Sequence, residues 1–80
     1  MMMEYLFSLD MLSPGRSGVV RRVEAPGDMG RRLLDLGLVQ GAAVACVGRS
    51  PLGDPGAYRI REAVIAIRDR DARGVLLAAR

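Results

Sequence analysis

A small, mainly β barrel of five short strands is the fold this sequence predicts, with one helix inserted after the first strand and a helical turn before the last. Three observations carry the prediction. Runs that alternate apolar and polar residues, such as Tyr58-Arg59-Ile60-Arg61, are separated by Gly and Pro punctuation at short intervals. Only one segment has helical spacing, with Met29, Leu33 and Leu36 at i, i+4 and i+7. Finally, 80 residues whose aromatic side chains are Tyr5, Phe7 and Tyr58 alone must build their core from Leu, Val, Ile and Ala, which suits short strands around a thin core.

Residues 6–9 alternate weakly and lie along the barrel in this reading, and Pro14-Gly15 makes a turn ahead of the first strand, residues 18–23. Residues 24–28, with Pro26-Gly27 inside them, lead into a helix over residues 29–36. Asp28 is its expected N-cap and Gly37 its left-handed stop, while Leu33 and Leu36 face the barrel. Leu38 then re-enters the core, Gly41 turns the chain, and residues 43–47 form a strand that ends before Pro51 and the Gly53-Asp54-Pro55 turn. Residues 58–61 and 64–68 pair as a hairpin with Ile65 and Ile67 on one face. Residues 69–73 have the turn and capping composition of a single helical turn, and Gly74 releases the chain into a last strand, residues 75–78. Without a linker, a low-complexity tract or a repeat, residues 1–80 read as one domain.

Size and composition exclude several kinds of chemistry. A chain this short buries only about 60% of the surface it exposes when unfolded, which leaves no room for a large catalytic cavity. There is no histidine, so neither a Ser-His-Asp nor a Cys-His arrangement can be assembled. Cys46 is the one cysteine, which rules out an internal disulfide and a thiolate cluster and agrees with a reducing compartment; its expected place is the core. No Gly-rich phosphate loop with a following Lys occurs, and the Gly15 to Gly18 spacing is explained by a turn. The carboxylates Asp28, Asp35, Asp54 and Glu62 fall at expected caps and turns, and Asp69 and Asp71 offer at most a weak oxygen-only metal site. The expectation is therefore a non-enzymatic protein with no cofactor and no metal centre. Residues 1–12 have no basic leader and no long apolar run, so the chain is expected to be soluble, intracellular and not itself membrane-spanning.

The net charge is +3, with twelve arginines and no lysine. Adjacent pairs such as Arg21-Arg22 and Arg31-Arg32 diverge in direction on a strand or a helix, so most are read as solvated surface.

The stretch from Arg31 to Pro55 carries the strongest signal. Arg32, Leu33, Asp35, Leu36, Gly37, Leu38, Gly41, Pro51, Gly53, Asp54 and Pro55 follow in order the pattern of the FeoA family, the small accessory proteins of bacterial ferrous iron uptake. The resemblance extends upstream through Leu9, Leu12, Pro14, Gly15, Gly18, Val20 and Val23, and downstream through Ile65, Ala66, Ile67, Arg68, Ala72, Val75 and Leu77. Two departures stand out: Gly56 sits where the family usually has an apolar strand residue, and Glu62-Ala63 replaces a Gly-containing hairpin turn. The resemblance implies an SH3-like barrel, and a cytoplasmic module that docks on the GTP-binding part of the ferrous iron permease. Gly15, Gly18, Asp28, Leu33, Leu36, Gly37, Gly41 and Pro55 are then expected to be structural.

A docking surface is sought among apolar residues that so small a domain cannot all bury: Leu34, Leu38, Val39, Pro51 and Leu52. In one arrangement they form an exposed patch rimmed by Arg31, Arg49 and Asp54, which makes Leu34, Leu38, Arg49, Pro51, Leu52 and Asp54 the candidate partner-binding residues. In the other, Leu34 and Leu38 close one end of the barrel and Leu52 alone stands out. Arg16 or Arg49 could reach a phosphate bound to the partner, and an apolar patch is compatible with weak self-association. Two alternatives stand beside this reading. One is a nucleic-acid-binding barrel, prompted by the basic balance and opposed by the lack of an aromatic stacking platform. The other is a stand-alone relative of the SH3-like regulatory domain of metal-dependent repressors.

Overall fold

A computed structural model describes residues 4–80. The elements run β1 (Leu6–Ser8), a 3-10 turn (Leu9–Met11), β2 (Ser17–Val23), α1 (Gly27–Asp35), β3 (Ala43–Arg49), β4 (Gly56–Ile60), β5 (Ala63–Ile67), α2 (Asp69–Ala72) and β6 (Val75–Ala79). The strands form one antiparallel sheet in the order β1-β6-β2-β3-β4-β5. The five expected strands and both helical pieces are present, and β1 adds a sixth strand that pairs only with β6.

Alternation carries residues of β2 to β6 into the core. Val20 on β2, Val44 and Cys46 on β3, Tyr58 and Ile60 on β4, Ile67 on β5, and Val75 and Leu77 on β6 are buried together, with Leu9, Leu12, Leu33, Leu38 and Ala72 closing the ends. No buried charge interrupts them among the described residues. Two pairings carry irregular register: β2 with β6, between Val20 and Arg22, and β3 with β4, between Cys46 and Gly48. Such bulges bend a strand and let a small sheet curl around so thin a core.

The turns follow from their residues. Arg16 N–H donates to the Ser13 carbonyl across Pro14-Gly15, with Gly15 at φ 88. Gly41 takes φ 90 and donates to the Val20 carbonyl, tying the turn before β3 to β2. Gly18 packs against β6, where a Cβ would come within 3.1 Å of the Ala78 carbonyl oxygen. The hairpin turn expected at Glu62-Ala63 falls one residue earlier: Arg61-Glu62 joins β4 to β5, with Arg61 at φ 58, and Ala63 is already the first residue of β5.

Helix α1 ends in a Schellman motif. Leu38 N–H reaches back to the Leu33 carbonyl and Gly37 N–H to the Leu34 carbonyl, with Gly37 at φ 107. The motif brings the residue after the glycine onto the last buried turn, so Leu38 packs with Leu33 and is fully buried. Leu38 therefore cannot belong to an exposed docking patch, which corrects one of the two arrangements open at the level of sequence. The expected N-cap is also corrected. Pro26 is the extended residue before the helix, Gly27 turns left-handed at φ 61, and the helix begins there, carrying Asp28 into the first turn. Asp28 makes no capping hydrogen bond to the helix, and its carboxylate acts on the N-terminal dipole instead. Met29 and Leu36 are half-buried and Leu33 is buried, on the face that helical spacing gives.

Candidate partner-docking site

Strand β3 ends at Arg49, and the chain then makes a tight turn. Gly53 N–H donates to the Ser50 carbonyl across Pro51-Leu52, and Ser50 N–H donates to the Pro55 carbonyl. Gly53 is at φ 90 and the Asp54-Pro55 peptide is cis. Pro51 presets the first central position of such a turn, and the glycine takes the left-handed position that closes it. With both ends held, the tip has nowhere to bury a side chain: Leu52 is 95% exposed.

Arg49 braces this turn from beneath. Its Nη2 donates to the carbonyls of Asp10 (2.6 Å) and Leu12 (2.9 Å), the end of the 3-10 turn. Its Nη1 donates to the Gly53 carbonyl and to the Asp69 carboxylate, both at 3.3 Å. Asp54 completes the frame by accepting the Asp69 backbone N–H at 3.0 Å, so a turn residue caps the first turn of α2. One guanidinium thus joins three segments that are far apart in the sequence. A planar fork of five donors can do this where a single ammonium cannot.

These contacts revise two expectations. Arg49 and Asp54 frame the site and present its apolar tip, with the Arg49 donors committed inside the fold. For the same reason Arg49 is not free to act as a finger toward a partner's phosphate. Leu34 does not join the group either. Gly37, one turn beyond it, lies against Ile60 at the far end of β4, whereas the 50–55 turn precedes Gly56 at the near end, roughly 13 Å of strand away.

Met11 was missed by sequence reasoning. It lies between the two carbonyls that Arg49 holds and is 69% exposed. A long-range bond from residue 49 to residues 10 and 12 leaves no local signal in the sequence. Met11, Pro51 and Leu52 are the exposed apolar side chains of this end of the molecule, with Asp10, Asp54, Asp69 and Arg73 around them. Apolar tips with a charged surround are the anatomy of a small docking surface.

Beneath the brace stands Tyr58. Burial pushes its hydroxyl above the usual tyrosine range, and the Arg49 guanidinium opposes that shift. Burial pulls Arg49 down, but neighbouring Tyr58, Cys46 and Asp69 outweigh it and the net direction is upward, so Arg49 keeps its charge. The Tyr58 hydroxyl is buried without a hydrogen-bond partner of normal geometry. Its ring fills the space over Gly56, where a Cβ would sit 2.5 Å from that hydroxyl. This explains the first departure from the family pattern: an apolar side chain at position 56 would displace Tyr58.

No group of three or more metal-capable side chains comes together among the described residues. Cys46 is buried, with its thiol 3.5 Å from the Gly48 carbonyl. Asp69, half of the remaining oxygen-only candidate, is engaged by Arg49. No helix among the described residues is long and apolar enough to cross a membrane.

Comparison with known proteins agrees with the fold. Residues 7–79 match the model of the FeoA domain family. A Porphyromonas gingivalis fusion protein of Fe(2+) transport protein A and the Fe(2+) transporter FeoB is 38% identical over 64 residues, which are 80% of this chain and 8% of that one. The chain therefore spans a small part of this relative. Among solved structures, the FeoA protein of Chlorobium tepidum superposes with a TM-score of 0.85 at 33% identity, over 91% of this chain and 70% of that one. The zinc complex of Stenotrophomonas maltophilia FeoA, described as an SH3 domain protein, superposes with a TM-score of 0.81 at 31% identity, over 89% of this chain and 88% of that one. A manganese-dependent transcriptional repressor shares the fold at a TM-score of 0.86 with 16% identity, over 99% of this chain and 44% of that one. With a family model that covers nearly the whole sequence and an SH3-like fold in common with its solved relatives, this chain belongs to the FeoA domain family.

Proposed function

We propose that this protein is a non-enzymatic accessory of ferrous iron transport that works in the cytoplasm and docks, through Leu52 and the turn that presents it, on the GTP-binding part of a ferrous iron permease. The observation that carries the reading is the exposed leucine on a turn braced from three sides. A rigid turn offers an apolar anchor at little cost in conformational entropy, which is the property of a docking residue. The fused relative, in which a transport protein A precedes or accompanies a transporter in one chain, supports the choice of partner. Nucleic acid is the weaker reading, since Tyr58 and the half-buried Phe7 are taken by the core and the exposed Tyr5 is a single ring, which makes no stacking platform.

Leu52→Glu tests the proposal. A side chain this exposed contributes little to the fold, so the denaturation midpoint should move by no more than about 0.5 kcal/mol equivalent. Binding to the permease's cytoplasmic domain, measured by calorimetry, should weaken about tenfold or more. Equal affinity of the two proteins would remove Leu52 from the interface, and an unfolded variant would show that it belongs to the core.

A further inference from the structure

The two edges of the sheet are not alike. β1 is three residues long, too short to recruit another strand, whereas β5 offers five residues, Ala63-Val64-Ile65-Ala66-Ile67, with neither charge nor proline among them. Edge strands of soluble proteins are usually blunted by such residues. The two-residue Arg61-Glu62 loop makes Ile60 and Ala63 the closing hydrogen-bonded pair, so Ala63, Ile65 and Ile67 bond β4 while the N–H and C=O of Val64 and Ala66 point away from it. Those four groups have no backbone partner among the described residues. Beside this edge a groove of about 300 Å³ opens between β5 and α1, with Met29, Leu33 and Leu36 on its far wall.

The charges flanking the strand read in a pattern complementary to their own reverse: Arg61 and Glu62 before it, Arg68 and Asp69 after it. In an antiparallel pair of two such strands, the register that matches Val64 with the partner's Ala66 forms four hydrogen bonds and puts Ile65 on the two-fold axis. The registers that match Val64 or Ala66 with itself form two. The four-bond register also brings Glu62, just before the strand, near the partner's Arg68, just after it, and symmetry doubles the attraction. Backbone pairing and charge thus select the same alignment independently. On the outer face it lays Val64, 53% exposed, against the partner's Ala66. On the inner face the two copies of Ile65 meet over the groove beside Met29 and Leu36.

We propose that β5 is a self-association edge, through which two copies of this chain join antiparallel about Ile65 to make one continuous sheet. The surface is separate from the Leu52 turn, so the dimer presents two docking tips at once, and the proposal stands whether or not that turn binds a permease.

Sedimentation equilibrium on the full chain tests it. The wild type should show a reversible dimer whose fraction rises with concentration, up to about 1 mM, as mass action requires. Glu62→Arg brings like charges near each other twice and should weaken dimerisation about tenfold or more, while the exchanged pair Glu62→Arg with Arg68→Glu should restore it. Ala66→Pro removes an edge N–H that β4 does not use and should abolish the dimer while the circular dichroism of the monomer persists. A monomer at every concentration would leave the edge to a strand of some other protein and overturn the proposal. So would a dimer indifferent to Glu62→Arg, or an exchanged pair that fails to restore it.

Discussion

Arg49 does at one residue what a larger protein does with additional core. Its guanidinium holds the end of the 3-10 turn, the carbonyl of Gly53 and the carboxylate of Asp69, and its side chain is only 21% exposed. Hydrogen bonds from a charged donor contribute roughly 1.5 to 3 kcal/mol, and carbonyls left without a donor add to the loss. Arg49→Met keeps most of the aliphatic volume and should lower unfolding free energy by about 2 to 4 kcal/mol, read from the urea midpoint at constant slope. Arg49→Lys should recover less than half of that, because one ammonium cannot reach both turns. A midpoint unchanged in either variant would show that the segments are held by packing alone. None of this was legible at position 49, where the sequence shows an arginine at a strand end and assigns it to a partner. Gly56 was likewise visible only as a departure. Its reason lies two residues on, in the Tyr58 ring that leans over it on the same face of β4.

At the scale of elements, the end of α1 shows how a stop is enforced. Gly37 takes φ 107, and a Cβ built there would sit 3.0 Å from the Ile60 Cγ2, while at Gly41, at φ 90, a Cβ would meet nothing within 4 Å. An alanine at either position bears the left-handed strain, about 1 kcal/mol, but only the one at position 37 must also push against β4. Gly37→Ala should therefore destabilise more than Gly41→Ala, and Gly37→Val more than either, by the denaturation midpoint. Equal costs at the two glycines would mean that Ile60 yields freely. Most elements could be read from the chain because their signals are local: the stop at Gly37, the alternation of residues 58 to 61, the glycine that starts β6. What depended on distant partners could not. The short strand β1 exists because Leu6 to Ser8 meet Leu76 to Ala78, seventy residues away. The helix start moved because the left-handed turn of Gly27 leaves no signature that separates it from Asp28 as a cap.

Over the whole molecule, the nine acidic residues are set against twelve arginines, and many of the acids have structural duties. Asp69 holds Arg49 and Asp54 caps α2, while Glu4 pairs with Arg21 and Glu24 with Arg22. The absence of histidine was legible at once; the commitment of Asp69, Asp54 and Glu4 was not, since it depends on contacts between residues 15 to 20 positions apart. The Stenotrophomonas maltophilia relative was solved as a complex with zinc. In this chain the residues do not fit such a site: the lone thiol is buried, and the described residues bring no three metal-capable side chains together. Soft divalent metals need thiolate or imidazole for tight binding, and isolated surface carboxylates hold them only weakly. Titration of the untagged protein with zinc, and with ferrous iron under anaerobic conditions, should therefore give no stoichiometric heat of micromolar affinity or tighter. A one-to-one site of that strength at low protein concentration would refute the prediction. Binding that appears with one metal per two chains, and only as concentration rises, would instead trace the ligands to a junction between copies and away from the single barrel.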